Sequence, residues 1–141
     1  MNNPYDTLLV RLDEKILDAE RISPNFLRST VKENELTVVV DQLRKSSFEL
    51  RWMFAHRVGD QNSPKLEIQY FLSTILNNRD YQWVVCVTLN NLTSDRFFPS
   101  ISDKFSIAEG YEAQIESEWG IRFIPPRIER SVVFRGPMFP D

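Results

Sequence analysis

Four carboxylates fall within one short stretch: Glu109, Glu112, Glu116 and Glu118. Two carboxylates do acid–base work when they face each other across a cleft at a defined separation. Here the spacing places them on one helix, with Glu112 and Glu116 a turn apart, where like charges repel mildly. Such a pattern suits a solvated helix face, or a face that meets basic groups of another protein, better than a catalytic pair. His56 is the single histidine and Cys86 the single cysteine. A cysteine nucleophile needs a base and a group that orients it, and nothing in the sequence brings His56 to Cys86. No second His or Cys accompanies His56 at metal-ligand spacing. Cys86 lies in an alternating run, opposite its aromatic and aliphatic residues, and reads as a small buried side chain. A small enzyme using His56 and a carboxylate is the weakest reading of the chain.

The glycines are Gly59, Gly110, Gly120 and Gly136, and none builds a phosphate-cradling loop. One cysteine cannot ligate an iron–sulfur cluster or close an internal disulfide. The sequence therefore assigns no catalytic, cofactor-binding or metal-ligating residue, and its single thiol suits a reducing compartment. The 141 residues carry a net charge of −3, and their Lys and Arg are scattered. That excludes the clustered basic face of a nucleic-acid binder. Met1-Asn2-Asn3-Pro4 has neither the basic nor the apolar region of a secretory signal. No apolar run is long enough to span a bilayer, so direct membrane insertion is not expected. Hydrophobic residues make up 42% and aromatics 12%, enough for a packed core and for aromatic interface anchors.

The elements that must position these residues follow from periodicity. Leu8, Leu9, Leu12, Ile16, Leu17 and Ala19 recur at near-helical spacing, which predicts a helix over 5–28 begun by Asp6 and stopped at Ser23-Pro24. The β-branched run 35–40 predicts a short strand, with Leu36, Val38 and Val40 on one face. Asp41 would then cap a helix over 42–51. Residues 52–58 are apolar enough for a strand, 65–75 and 81–89 alternate, and the polar turns 59–64 and 76–80 join the three runs, which predicts an antiparallel meander. Pro99 marks a sheet edge or exit. Ser102 or Asp103 would start a helix to Trp119, with Ile107, Tyr111, Ile115 and Trp119 as its apolar stripe and the four glutamates off it. Gly120 would end it in the left-handed conformation. Residues 121–124 resume as an extended piece, and 127–134 read as a last strand before a Pro-rich tail.

The stretch from Phe98-Pro99-Ser100-Ile101 to Trp119-Gly120-Ile121 resembles the signature of the 30-kDa-subunit family of NADH:quinone oxidoreductase (complex I). It is more similar still to the matching domain of formate hydrogenlyase-type, membrane-bound nickel–iron hydrogenases. The family pattern is a Pro-Ser-Ile/Leu/Val step, then a helix with Glu-Arg-Glu-x-x-Asp, then an aromatic pair and Gly-Ile/Leu. Here Glu112 stands at the first acid, Ala113 at the Arg, Gln114 at the second Glu and Ser117 at the Asp, followed by Gly120-Ile121. The resemblance covers about 35–124.

It implies a single α+β domain over 1–141: a helical N-terminal segment (1–34), a family-like core (35–124) and an extended tail (125–141). The core would be a mostly antiparallel mixed sheet packed by two or three helices. It implies a non-catalytic assembly subunit that carries no cofactor of its own. That subunit would dock on the large and iron–sulfur subunits, which hold the nickel–iron site and the clusters. The complex would be a hydrogenase or complex I-like enzyme, with this subunit cytoplasmic and peripheral to the inner membrane. The motif positions Pro99, Ser100, Glu112, Gln114, Glu116, Gly120 and Ile121 would form the partner interface. A free-standing adaptor that kept the fold but not the complex is the alternative.

Overall fold

The computed structural model describes residues 3–90 and 96–124. The expected last strand and tail lie outside them. Helix α1 (Pro4–Arg11) is followed by the hairpin β1 (Ile16–Ser23) and β2 (Phe26–Val31), then helix α2 (Leu36–Lys45). The meander β3 (Glu49–Val58), β4 (Lys65–Leu76) and β5 (Arg79–Leu89) comes next. Strand β6 (Phe97–Pro99), helix α3 (Ala108–Trp119) and strand β7 (Arg122–Ile124) close the described chain. A five-stranded sheet runs in the order β1-β2-β5-β4-β3, and β6 and β7 pair separately. All pairings in the large sheet are antiparallel except β2 with β5. The fold is therefore the expected α+β, with a mixed sheet and three helices.

The meander forms as its alternation predicts. Leu66, Ile68, Tyr70 and Leu72 of β4, with Tyr81, Trp83, Val85, Val87 and Leu89 of β5, are buried in one core. Asn77 and Asn78, with φ of 56° and 63°, make the two-residue turn between β4 and β5. Two successive left-handed residues match the twist of a tight hairpin. Trp83 sits at the core's centre, edge-on to Tyr5 at 5.8 Å and to Phe48 at 5.9 Å. Its indole N–H donates to Ser29 Oγ at 2.9 Å, which ties β5 to β2. The Tyr5 hydroxyl donates to the Gln82 carbonyl at 2.7 Å, which ties α1 to the same strand.

Two expected elements are of the other kind. The predicted helix over 5–28 ends at Arg11, and its second half is the β1–β2 hairpin, turned by Pro24-Asn25. The N-terminal segment is thus not helical throughout, and β2 lies inside the sheet. Asn3, not Asp6, caps α1: its Oδ1 accepts the Tyr5 amide at 2.8 Å, while Asp6 pairs with Arg21 at 2.9 Å. Strand β1 is almost wholly exposed, so it shows no alternation to read. Its charges, Asp18, Glu20 and Arg21, suit an edge that must not recruit another strand.

The second correction concerns 35–40, which is helix α2 rather than a strand. Val38 and Val39 decide it: Val38 is 39% exposed and Val39 0%. Leu36, Val39, Val40 and Leu43 are buried together, at the spacing of one helix face. Packing on the sheet here overrides β-branched propensity. Asp41 is inside the helix, not at its start, and pairs with Arg44 at 2.8 Å and Lys45 at 3.2 Å. The helix stops at Lys45, not at 51, because Ser47 turns left-handed at φ 72°. The Phe48 amide then donates to Leu43 O and the Ser47 amide to Arg44 O, both at 3.0 Å. This double bond pattern closes a helix C-terminus. It frees Glu49–Arg51 to begin β3.

Candidate partner-docking site

The Pro-Ser-Ile step and α3 are joined through one buried carboxylate. Pro99 ends β6, which pairs in parallel with β7. Ser100 leaves the strand, its amide donating to Ile124 O at 3.0 Å. The Ser100 hydroxyl then donates to Glu112 Oε1 at 2.7 Å, and the Ile101 amide donates to Glu112 Oε2 at 2.9 Å. The Ser102 amide donates back to Ser100 Oγ at 3.0 Å. Glu112 is only 5% exposed. Burial pushes its carboxyl above the usual range, with the Ser100 and Ile101 hydrogen bonds opposing and Glu116 and Glu109 adding to the rise.

Glu112 therefore corrects the expectation that all four acids lie off the apolar stripe. The buried side of α3 is Ala108, Glu112 and Ile115, with Tyr111 and Trp119 packed beside them, while Ile107 is exposed. The helix also starts later than expected. Neither Ser102 nor Asp103 caps it; residues 102–107 make turns, with Lys104 and Phe105 amides on Ile101 O.

The other expected interface positions divide cleanly. Ser100 and Ile121 are buried within this chain. Glu116 is half-buried, and its Oε2 accepts the Phe123 amide at 2.7 Å, which fixes β7 against α3. Gly120 ends α3 at φ 75°, its amide on Glu116 O at 2.9 Å, as expected. Pro99 is half-buried, and Gln114 is exposed. Ala113 and Ser117 are also exposed and, with Gly120, Ile121 and Arg122, line a shallow concavity beside Glu116. So the one signature acid this chain keeps is the one its own fold uses. The positions where the family pattern has an Arg, a second Glu and an Asp are solvent-facing here.

His56 and Cys86 do not form a constellation with each other. His56 Nε2 lies 2.7 Å from Glu67 Oε1, and its ring stacks on Phe54 at 5.2 Å. Glu67 also accepts from Gln69 Nε2 at 2.8 Å and faces Arg28 at 3.6 Å. Cys86 is buried, as expected, and burial raises its thiol pKa, opposed by the neighbouring Arg28. Among the described residues no three His, Cys, Asp or Glu side chains gather to hold a metal ion. No helix among them is long and apolar enough to cross a membrane.

Sequence reasoning missed an aromatic surface on β3. Trp52 and Phe54 are 45% and 40% exposed, and Trp52 packs on Phe54 at 5.4 Å and on Phe71 at 5.0 Å. Between this strand and α3 runs a groove of about 470 Å³, lined by Trp52, Met53, Phe54 and Ala55 and by Tyr111, Gln114, Ile115, Glu118 and Trp119. The signal was present: Trp52, Phe54 and His56 alternate on one face of a strand whose opposite face carries Met53 and Ala55.

No protein-family profile matches the chain, and no curated protein matches it in sequence. Solved structures do. One is a chain of the membrane-bound sulfane sulfur reductase, an archaeal respiratory membrane complex, 16% identical, with a TM-score of 0.67 over 84% of this chain and 67% of that one. Another is the trypsin-resistant fragment (1–134) of Nqo5, 14% identical, with a TM-score of 0.68 over 86% of this chain and 96% of that one. The chain therefore has the fold of the complex I 30-kDa-type subunit, as the signature between Phe98 and Ile121 implies.

Proposed function

We propose that this chain is a non-catalytic subunit of a multi-subunit, respiratory-type electron-transfer complex related to complex I or to membrane-bound nickel–iron hydrogenases. The observation that carries the reading is the fold, shared over 84% and 86% of the chain with components of such assemblies. The Ser100–Glu112 clamp supports it, because it sits where the family signature begins. In this reading the chain docks on a large subunit and an iron–sulfur subunit, and those partners hold the clusters and any nickel–iron site. It is peripheral to the membrane, on the cytoplasmic side, through its partners. Its own part is to hold neighbours in electron-transfer geometry.

Affinity purification of the full chain from its native source tests this. The expected result is co-recovery of a large subunit and an iron–sulfur subunit in stoichiometric amounts. Recovery of the chain alone, under conditions that keep such complexes intact, would overturn it.

A specific observation favours a second reading. Ala113, Gln114 and Ser117 replace family charges at solvent-facing positions, while the fold-bearing Glu112 is kept. That is the pattern of a free-standing adaptor whose contacts have changed and whose core has not. Recovery with a partner that has no iron–sulfur or large-subunit character would select it.

A further inference from the structure

We propose that the groove between β3 and α3 seats an extended, arginine-bearing segment of a partner protein, added to the sheet along the outer edge of β3. This rests on the function proposed above, the partner being a subunit of that complex. Strand β3 is the last in the sheet order, so among the described residues no strand pairs with its outer edge. The groove meets four consecutive residues of that strand, Trp52 to Ala55. Successive side chains of a strand point to opposite faces, so a concavity lined by four in a row opens on the strand's edge and its backbone. The opposite edge of the sheet, β1, carries Asp18, Glu20 and Arg21, charges of the kind that keep a stray strand off. Trp52 to Ala55 carry no charge, and Trp52 and Phe54 stand exposed. An edge of this kind takes an extended segment through main-chain hydrogen bonds, with side-chain pockets on either side.

Charge selects the occupant. The residues that line the groove include Glu118 and no lysine or arginine. Helix α3, its other wall, carries four glutamates and no cation. Two of these are engaged within the chain: Glu112 by Ser100 and Ile101, and Glu116 by the Phe123 amide. Glu109 and Glu118 are exposed, and among the described residues their side chains have no hydrogen-bond or ion-pair partner. A guanidinium in the groove can pair with the Glu118 carboxylate and lie against the Trp52 or Phe54 ring. Charge-assisted hydrogen bonding and cation–π attraction both favour it there. Arginine, more than lysine, forks onto carboxylates and stacks on aromatic rings. A second copy of this chain is the poorer occupant, because it puts another set of α3 glutamates at the same edge.

Titration of the full chain with a blocked six-residue peptide alternating Arg and Val, followed by amide NMR, tests this; the same peptide with Glu in place of Arg is the control. The expected result is saturable shifts at residues 52–58 and around Glu118, slower hydrogen exchange at 52–58, and no binding of the Glu peptide. Glu118→Lys should weaken binding of the Arg peptide at least tenfold without changing the fold. Trp52→Ala should weaken it as well; should that variant lose its fold, Glu118→Lys decides alone. No shifts at millimolar Arg peptide, equal binding of the two peptides, or undiminished binding to Glu118→Lys overturns the proposal. So does protection of the outward-facing amides of 52–58 without peptide: if it depends on protein concentration it marks a second copy on the edge, and if it does not, cover by the chain itself. Affinity purification from the native source separates this proposal from the function it rests on. Where wild type recovers its partner subunits, Glu118→Lys should recover several-fold less; equal recovery overturns the groove and leaves the proposed function standing. Wild type that recovers no partner overturns the proposed function, and with it the partner's identity, whatever the peptide shows.

Discussion

Ser100 Oγ lies 2.7 Å from Glu112 Oε1, across twelve residues of chain, and both side chains are buried. Each oxygen of that carboxylate receives one hydrogen bond, from the Ser100 hydroxyl and from the Ile101 amide. The pair fixes where α3 sits relative to β6, and so where every exposed residue of α3 points.

Glu112→Ala removes the acceptor for two buried donors. A buried donor left without a partner costs about 1–3 kcal/mol. Denaturant unfolding of the variant should show a loss of about 2–5 kcal/mol, and a loss under 1 kcal/mol would show that the clamp is not what holds α3.

Glu112→Gln separates shape from charge. Because burial raises the Glu112 carboxyl pKa, the folded chain holds that proton more tightly than the unfolded chain does. The stabilisation this gives is fully present below the unfolded pKa, about 4.3. It is lost as pH rises through the folded value. The stability of wild type relative to Glu112→Gln should therefore fall as pH rises above the ordinary glutamate value. Parallel stability curves on the two sides of that value would refute the raised pKa.

Ser29→Ala leaves the Trp83 indole N–H without its acceptor in the centre of the core. The expected cost is about 1–3 kcal/mol in chemical unfolding, with near-ultraviolet circular dichroism of Trp83 altered. Ser29→Thr, which keeps an acceptor, should recover part of it.

Gly120→Ala meets no atom within 4 Å of the added methyl, so its effect comes from the φ of 75° alone. Holding a non-glycine residue there costs about 1–2 kcal/mol. A drop of that size without loss of secondary structure is expected; unchanged stability would mean that the backbone relaxes.

Ala113→Arg with Ser117→Arg changes the exposed side of α3 away from the β3 groove. Surface changes of this kind shift stability by about 0.5 kcal/mol or less. Under the proposed function the variant should fold normally and recover several-fold less partner in affinity purification. Undiminished recovery would move the docking site elsewhere.

The chain's sequence alone determined the meander: the first eight residues of β4 alternate between buried and half-buried as their pattern predicts, and Tyr81, Trp83, Val85, Val87 and Leu89 of β5 share the same core, although Val84 and Cys86 on its other face are buried as well. It also determined the end of α3, because Gly120 takes without strain a left-handed conformation that costs other residues energy. The fold family was legible at Pro99-Ser100-Ile101, Glu112 and Gly120-Ile121. Tertiary structure decided the rest. Val39 turned a β-branched run into a helix because the sheet could bury its face only in that form. Residues 16–23 became a strand because β2 offered a partner, and an edge strand exposed on both sides leaves no pattern to read. Glu112 looked like one more surface acid, and only the approach of Ser100 and Ile101 made it part of the interior. Charge and spacing along a helix do not say which side will be covered; that depends on what the fold brings against it.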